Sequence, residues 1–391
     1  MPILFAVVAT ATPVFTPLYN VTDLGTLGGS TSVAYGLSPN GQVVGMSTTT
    51  FGNMHAVEFG LSGLTDLTVH SPASEGLATG VNNGGQISGT QWIGGQAYAT
   101  VWDNGLVQTI AGPGSYAQAI DAQGDIVGML TASNGQGHAF VTKNGSLTDL
   151  GTPLGGAWSS AYAMNNSASV AGYAMVGSSM SAFVWSPATG YTMLDTLGGA
   201  NGFAMAINTF DVAAGHAQNA AGYLHAVIWS AGSVRDLGTL GGNASFAFGL
   251  NDTGEAVGYS SLPGNVQTDA FLFDGARMLD LNSLIAPGSG WTLTQAYSIN
   301  NGGQIVGAGM FDGVEHAFML DLVTPQFGAA AVSATAPAVG GFPSAAPEPP
   351  TWTFVLLGIA GIAIRCFLSI VRLPRRRKDR PPEPPQSTAA P

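Results

Sequence analysis

The chain has 391 residues, 56 of them glycine, with 46% apolar and 8% charged side chains, which is too hydrophobic for a disordered polymer and points to a folded, β-rich body. Before residue 347 only Lys143, Arg235 and Arg277 are basic, against 19 acidic residues, so the body lacks the positive footprint that phosphate backbones need and no nucleic-acid partner is expected. The single cysteine, Cys366, excludes an intrachain disulfide.

Residues 2–11 are apolar and end on Ala9-Thr10-Ala11, a small-residue cleavage site without a preceding basic stretch, so 1–17 reads as a truncated export signal. The body then repeats one pattern. A glycine closes a short apolar strand at Gly45, Gly89, Gly128, Gly172, Gly215, Gly258 and Gly307, and successive copies lie 39 to 49 residues apart. That period, with four strand-like phrases per copy, marks a closed radial array of sheets. The first phrase is apolar and is followed by Asn82, Asp121, Asn165, Asn208, Asn251 or Asn300, with Ser38 at that place in the earliest copy. A short turn leads to the second phrase, so each pair reads as a β-hairpin. Asn, Asp or Ser bonds its own backbone at the turn entry and glycine supplies positive φ near the exit.

The third phrase is of His-Ala-Phe type, beginning at His55, Tyr98, His138, Ser181, His225, Asp269 and His316. Its alanine recurs in every copy, which implies that a neighbouring strand or sheet presses close. The fourth phrase, Asp-Leu-Gly-Thr-Leu-Gly-Gly, is fullest at 23–29 and 236–242, with weaker versions at Asp66, Gln108, Asp149, Asp195 and Asp280. Its series starts one phrase early. A strand at 19–27 is therefore expected to complete the sheet begun at Ala296, closing the ring without exposed edges. The expected fold is all-β: a seven-bladed β-propeller over 18–325, closed by the N-terminal strand. A linear β-solenoid is the competing arrangement, but its coils are usually shorter than this period and the polar end caps it needs are missing.

After Leu322 the repeat stops. Residues 326–350 form an Ala/Gly/Pro-rich linker, 351–372 an expected transmembrane helix, and 373–391 a basic and then Pro-rich tail. Arg365 interrupts the apolar run and has to snorkel to one interface. The cluster Arg375, Arg376, Arg377, Lys378 and Arg380 marks its side as cytoplasmic and places the body outside.

Taken together, Asp-Leu-Gly-Thr-Leu-Gly-Gly at 236–242, Ile-Asn-Asn-Gly-Gly-Gln-Ile-Val-Gly at 299–307 and His-Ala-Phe at 316–318 resemble the HAF repeat family of extracellular repeat proteins, over residues 18–322. In the tail, Pro347, Glu348 and Pro349, then Trp352, the apolar run through 356–361 and the following arginines resemble a PEP-CTERM sorting signal. That resemblance implies recognition by an exosortase, a membrane cysteine transpeptidase of Gram-negative bacteria that make extracellular polysaccharide. The tail departs from the family pattern by continuing through 366–371 and adding a second Pro-Glu-Pro at Pro382, Glu383 and Pro384.

No catalytic, cofactor-binding or metal-ligating residue is expected. Histidine begins four of the seven third phrases, but one residue per blade is too widely spaced for a metal shell, so the reading is structural. Asn82, Asp121, Asn251, Asp252 and Asn300 offer oxygens suited to calcium, yet no copy concentrates enough carboxylates. The glycine runs lie between strands, without the helix N-terminus and lysine of a phosphate cradle. Glu58, Glu75, Glu255 and Glu315, the candidates for paired carboxylates, sit in different phrases of different copies. Tryptophans such as Trp92, Trp102, Trp158, Trp185, Trp229 and Trp291 suit stacking on sugar rings, although most should pack between blades. The expected function is an exported, membrane-anchored, non-catalytic structural or binding module of the cell envelope or extracellular polysaccharide matrix. Its expected partners are an exosortase-type enzyme, the membrane and polysaccharide; a polysaccharide-acting propeller enzyme is the alternative.

Overall fold

The computed structural model describes residues 18–60, 63–69 and 74–323. These belong to the first of two compact units, Met1–Ile359 and Ala360–Pro391. They form an all-β propeller. The opening strand β1 (Tyr19–Asp23) is followed by β2 (Gly28–Leu37), β3 (Val43–Thr49), β4 (Met54–Gly60) and β5 (Gly63–Asp66). Five meandering four-stranded sheets come next. They comprise β6 (Glu75–Val81), β7 (Ile87–Ile93), β8 (Gln96–Asp103) and β9 (Leu106–Thr109); then β10 (Tyr116–Ile120), β11 (Ile126–Thr131), β12 (Gly137–Lys143) and β13 (Ser146–Gly151); then β14 (Trp158–Met164), β15 (Val170–Val176), β16 (Ser179–Ser186) and β17 (Gly190–Met193). The fourth holds β18 (Gly198–Ile207), β19 (Ala213–Asn219), β20 (Leu224–Ser230) and β21 (Ser233–Asp236), the fifth β22 (Ser245–Leu250), β23 (Ala256–Ser261), β24 (Thr268–Phe273) and β25 (Met278–Asp280). The last three strands are β26 (Trp291–Ile299), β27 (Ile305–Phe311) and β28 (Val314–Leu322).

One close approach explains the glycine that punctuates every copy. The innermost strand of each sheet carries a bulge just after its alanine, as between Ala117 and Ala119 or between Ala204 and Ala206. The bulge turns the preceding carbonyl toward the second strand. A Cβ on Gly128 would lie 1.9 Å from the Tyr116 oxygen and one on Gly215 1.8 Å from the Phe203 oxygen, so no other residue fits. The alanines of the third phrase, such as Ala139 and Ala226, are fully buried for a related reason. Their backbone N–H groups donate across the seam to serine hydroxyls of the next sheet: Ala139 to Ser159 Oγ at 2.8 Å, Ala226 to Ser245 Oγ at 2.8 Å and Ala99 to Ser115 Oγ at 2.9 Å. The apolar core is accordingly distributed over the seams. One cluster joins Val44 and Ala56 to Ala78, Val81, Ile87 and Trp102, and another joins Val127, Ala139 and Val141 to Ala161, Val170 and Phe183.

The two ends of the body meet. Strand β1 pairs antiparallel with β28, from Tyr19 opposite Leu322 to Asp23 opposite Phe318, as the offset between the repeat series led one to expect. The Ala317 N–H donates to Ser32 Oγ at 2.9 Å, repeating the seam bond between the last copy and the first. The expectation of seven blades is nevertheless corrected, and the transmembrane helix expected at 351–372 falls outside the described residues. Five blades stand as separate four-stranded sheets, while the other eight strands form one continuous sheet. The cause is the ten-residue strand β2: the chain passes to it directly from β1, and its opening residues lie against β28, bridging it in parallel at Thr31 and Glu315. Among the described residues, moreover, no helix is long and apolar enough to cross a membrane. The segments 1–17, 326–350, 351–372 and 373–391 lie outside the described residues.

Register also shifts two of the fourth-phrase positions. Thr100 pairs with Thr109 and Phe183 with Met193, where Val227 pairs with Asp236. Thr109 and Met193, and not Gln108 and Asp195, therefore hold the place of the phrase's aspartate. The substitution Gly128→Ala is expected to destabilise the protein by about 2 kcal/mol or more through overpacking, seen as a lower denaturant midpoint. Gly112→Ala, which has nothing within 4 Å of the added Cβ, should leave that midpoint unchanged.

Candidate binding site at the channel mouth

The turn that follows each innermost strand builds a small polar machine. In the turn after β6, Asn82 Oδ1 accepts the N–H groups of Gly84 at 3.0 Å and Gln86 at 3.1 Å. The same clamp holds Asn165, Asn208 and Asn300. With Oδ1 fixed locally, Nδ2 is left to reach sideways. Asn82 donates to the Asp121 carbonyl at 3.0 Å, Asn165 to that of Asn208 at 2.9 Å and Asn208 to that of Asn251 at 3.4 Å. Asn251 continues to Asn300 at 3.2 Å, and Asn300 to Ser38 at 3.3 Å. The chain of amides thus runs from sheet to sheet and crosses the junction between the last copy and the first.

The following residue adds an outer layer. Asn83 Oδ1 accepts from the Asn40 N–H, Asn166 Oδ1 from Ala122, Asp252 Oδ1 from Thr209 and Asn301 Oδ1 from Asp252. Asn301 Nδ2 also donates to Asp252 Oδ2 at 2.9 Å. Burial pulls the Asp252 carboxyl upward, but the donors Thr209 and Asn301 outweigh it and hold its pKa below the usual value. These layers surround a cavity of about 210 Å³ whose remaining lining is aliphatic, from Leu37, Val81, Ile120, Met164, Ile207, Leu250 and Ile299. The result is a cup at the mouth of the central channel, rimmed by amides and carboxyls over an apolar floor. It offers short-range hydrogen bonds to a small uncharged polar group.

The four third-phrase histidines do not converge. Each pairs with the fourth-phrase aspartate of its own sheet: His55 with Asp66 at 2.7 Å, and His138 with Asp149, His225 with Asp236 and His316 with Asp23 at 2.9 Å. Those carboxylates also accept the N–H two residues on, for example Gly151 and Gly238 at 2.8 Å, so each His-Asp pair ties a strand to the loop that leaves the sheet. Where histidine is absent, the pairing residue changes too. In the Tyr98 and Ser181 copies Thr109 and Met193 stand at the aspartate's place, opposite Thr100 and Phe183; in the Asp269 copy Asp280 remains, opposite Phe271, and burial first and that second carboxylate next push Asp269 up to about 6. Among the described residues no group of three or more His, Cys, Asp or Glu is arranged to hold a metal ion.

The other candidates are scattered. Glu255 accepts from Asn251 Nδ2 at 2.7 Å, Glu315 lies exposed at the start of β28, and Glu58 and Glu75 sit on β4 and β6, with no hydrogen bond joining any two among the described residues. Trp102 and Trp229 are buried in seams and donate to the carbonyls of Leu67 and Asp195 at 3.0 and 2.6 Å. Trp158 donates to Met129 Sδ, and Trp291 stacks on Phe311. These indoles serve packing, so the cup and not an aromatic platform is the candidate site. Residues Pro347, Glu348, Pro349, Arg375, Arg376, Arg377, Lys378 and Arg380 lie outside the described residues.

Below the cup, His216 belongs to an aromatic row along the inner strands, from Tyr173 through Phe203, His216 and Phe246 to Tyr259, with ring centres 4.7 to 5.1 Å apart. Its Nδ1 has no partner among the described residues, and burial pushes its pKa down to about 3.

Comparison with protein-family models and with curated sequences finds no match. Among solved structures, virginiamycin B lyase from Staphylococcus aureus aligns with 10% identity and a TM-score of 0.45, over 78% of this chain and all of its own. A gluconolactonase from Xanthomonas campestris aligns with 11% identity and a TM-score of 0.40, over 78% of this chain and 91% of its own. A puromycin-hydrolyzing peptidase from Mycobacterium tuberculosis aligns with 12% identity and a TM-score of 0.47, over 74% and 49%. The expectation that the chain is not an enzyme is withdrawn: these aligned structures include enzymes, and they assign this chain neither class. At such identities their activities stay with those proteins.

Because the folded state refuses a proton that the unfolded chain accepts at His216, stability should fall as pH drops from the ordinary histidine value of 6.5 toward about 3. His216→Phe should remove that component, and thermal midpoints of the variant and the wild type across this range will show a gap that widens in acid.

Proposed function

We propose that the chain is an exported binding module whose channel-mouth cup takes a neutral, hydroxyl-rich ligand, with polysaccharide of the cell envelope or extracellular matrix as the class it fits. The supporting observation is the cup itself, where amide groups of Asn83, Asn166 and Asn301 ring an aliphatic floor. Hydroxyl groups both donate and accept, and so complement amides without the desolvation cost of a charge.

Charge narrows the class. Lys143 pairs with Asp125, Arg277 with Asp274, and Arg235 donates to the Gly275 carbonyl, so each base of the body is already engaged. With Asp252 lining the cup and no lysine or arginine there, a uronate or sulfated sugar would meet like charge. Neutral glycans are therefore expected to bind and acidic ones to be rejected.

A glycan array probed with the purified protein tests this reading. Neutral oligosaccharides should bind, and the double variant Asn166→Ala with Asn301→Ala should weaken binding by about tenfold, the equivalent of a lost hydrogen bond or two. Silence across the array would remove the carbohydrate reading, and turnover of a bound glycan would assign the enzyme alternative.

For localisation, the proposal is anchoring through the C-terminal segment, with an exosortase-type enzyme acting on Pro347, Glu348 and Pro349 and the basic cluster Arg375, Arg376, Arg377, Lys378 and Arg380 stopping transfer. Deleting residues 347–380 should release the body into the medium, as read by fractionation. Unchanged membrane retention would defeat the anchoring reading and leave the cup untouched.

A further inference from the structure

The amide ring is interrupted at two places: at Ser38, whose Oγ donates to Asn40 Oδ1 within its own turn, and at Asp121, where a buried acceptor replaces the amide donor. Asp121 occupies the position held by Asn82, Asn165, Asn208, Asn251 and Asn300, and its Oδ1 makes the same local clamp, accepting the N–H groups of Gln123 at 2.9 Å and Asp125 at 2.8 Å. Its Oδ2 therefore stands where the others present Nδ2. That oxygen is shielded from solvent and has no hydrogen-bond partner among the described residues, and the whole residue is 4% exposed. The group it should bond, the carbonyl of Asn165, accepts the Ala168 N–H within its own turn and no other donor among the described residues. At the seam between the β10–β13 and β14–β17 sheets, both members of the bridge that Nδ2 makes to a carbonyl in other copies are thus acceptors.

We propose that Asp121 closes this gap as a carboxylic acid, its Oδ2–H donating to the Asn165 carbonyl oxygen, and that ionisation of this one group opens the seam beside the cup. A proton is the smallest donor that restores the ring without enlarging it, and an unpaired buried carboxylate facing a carbonyl is far costlier than a neutral acid. The surrounding charges do not replace it. On its own sheet, Asp125 is tied to Lys143 Nζ at 2.6 Å; on the preceding sheet, Asp103 is held by Gln86; and beyond Asn165, Asp211 accepts that residue's amide. Burial also raises the pKa of Asp121 above the usual aspartate value, with Asp125 adding to the effect and the backbone donors and Lys143 opposing it.

The sign of the pH effect follows. A carboxyl that is more basic folded than unfolded stabilises the protein fully below its unfolded pKa, and that contribution is lost as pH rises through its folded pKa. Asp121→Asn installs a permanent donor, so its advantage in melting temperature over the full-length wild type should be near zero in acid and grow as pH rises, then level off. Infrared difference spectra of the wild type just above the ordinary aspartate pKa should show a protonated-carboxyl component that Asp121→Asn removes, separate from the component that Asp269→Asn removes. A melting-temperature gap that does not change with pH, or a band unaffected by Asp121→Asn, would overturn the proposal. Calcium that stabilises the wild type but not Asp121→Asn would overturn it equally, by placing a cation in the gap.

Discussion

Everything in this molecule depends on one pairing, that of β1 with β28. Each sheet here buries its faces only against its neighbours, and its core residues are shared across seams, as Ala171 and Ala182 are with Ala204, Val227 and Trp229. A linear stack would leave two such faces in water. By supplying its outermost strand to the sheet of β26, β27 and β28, the N-terminus brings Val306 and Ala317 against Ala34, Val43 and Val57, and the last open seam becomes core. The amide ring is a by-product of that closure, since Asn300 finds the Ser38 carbonyl only when first and last copies adjoin.

The repeat made much of this legible. A glycine that must admit a neighbouring carbonyl, an alanine pressed by the next sheet and an offset between two series are all constraints of the backbone, and backbone constraints repeat when the structure does. What escaped were features lying between copies. Asn82 and its equivalents read as turn formers, which they are, but their second role uses an acceptor roughly one repeat further on, as at Asp121, and no local pattern announces it. The clue available was the persistence of asparagine where any turn residue would serve. Positions whose register depends on a cross-strand partner were also hidden: Gln108 and Asp195 look like the phrase's aspartate by spacing, yet pairing puts Thr109 and Met193 there. The continuity of the eight-stranded sheet was invisible for the same reason, because the single bridge between Thr31 and Glu315 leaves no periodic trace.

The His-Asp pairs show how far one chain can act as its own comparison. Four copies carry histidine and four times its partner is aspartate; where histidine is lost, threonine, methionine or a second acid stands at the aspartate's place. Such coupled change is what a local, pairwise fastening predicts, since either partner alone has lost its reason to be there. A shared metal or catalytic ring would instead tie the copies to one another and resist substitution in any single one.

That contrast directs attention to places where one member of a fastening changes and the other does not. Asp269 replaces a histidine while Asp280 stays, and Asp121 replaces an asparagine while the Asn165 carbonyl stays. In both, a donor has become an acceptor while its partner stays an acceptor, and in both burial pushes the carboxyl's pKa upward. The two differ in surroundings: Asp269 is half-buried on strand β24 and hydrogen-bonds Asn282, whereas Asp121 is buried with its Oδ2 unpartnered among the described residues. An exposed mismatch relaxes into water at small cost, but an enclosed one has to be answered by a proton, an ion or a ligand. Ser38 also interrupts the ring, but its hydroxyl finds Asn40 within its own turn; the Oδ2 of Asp121 has no such partner among the described residues, which makes 121 the interruption that needs an answer.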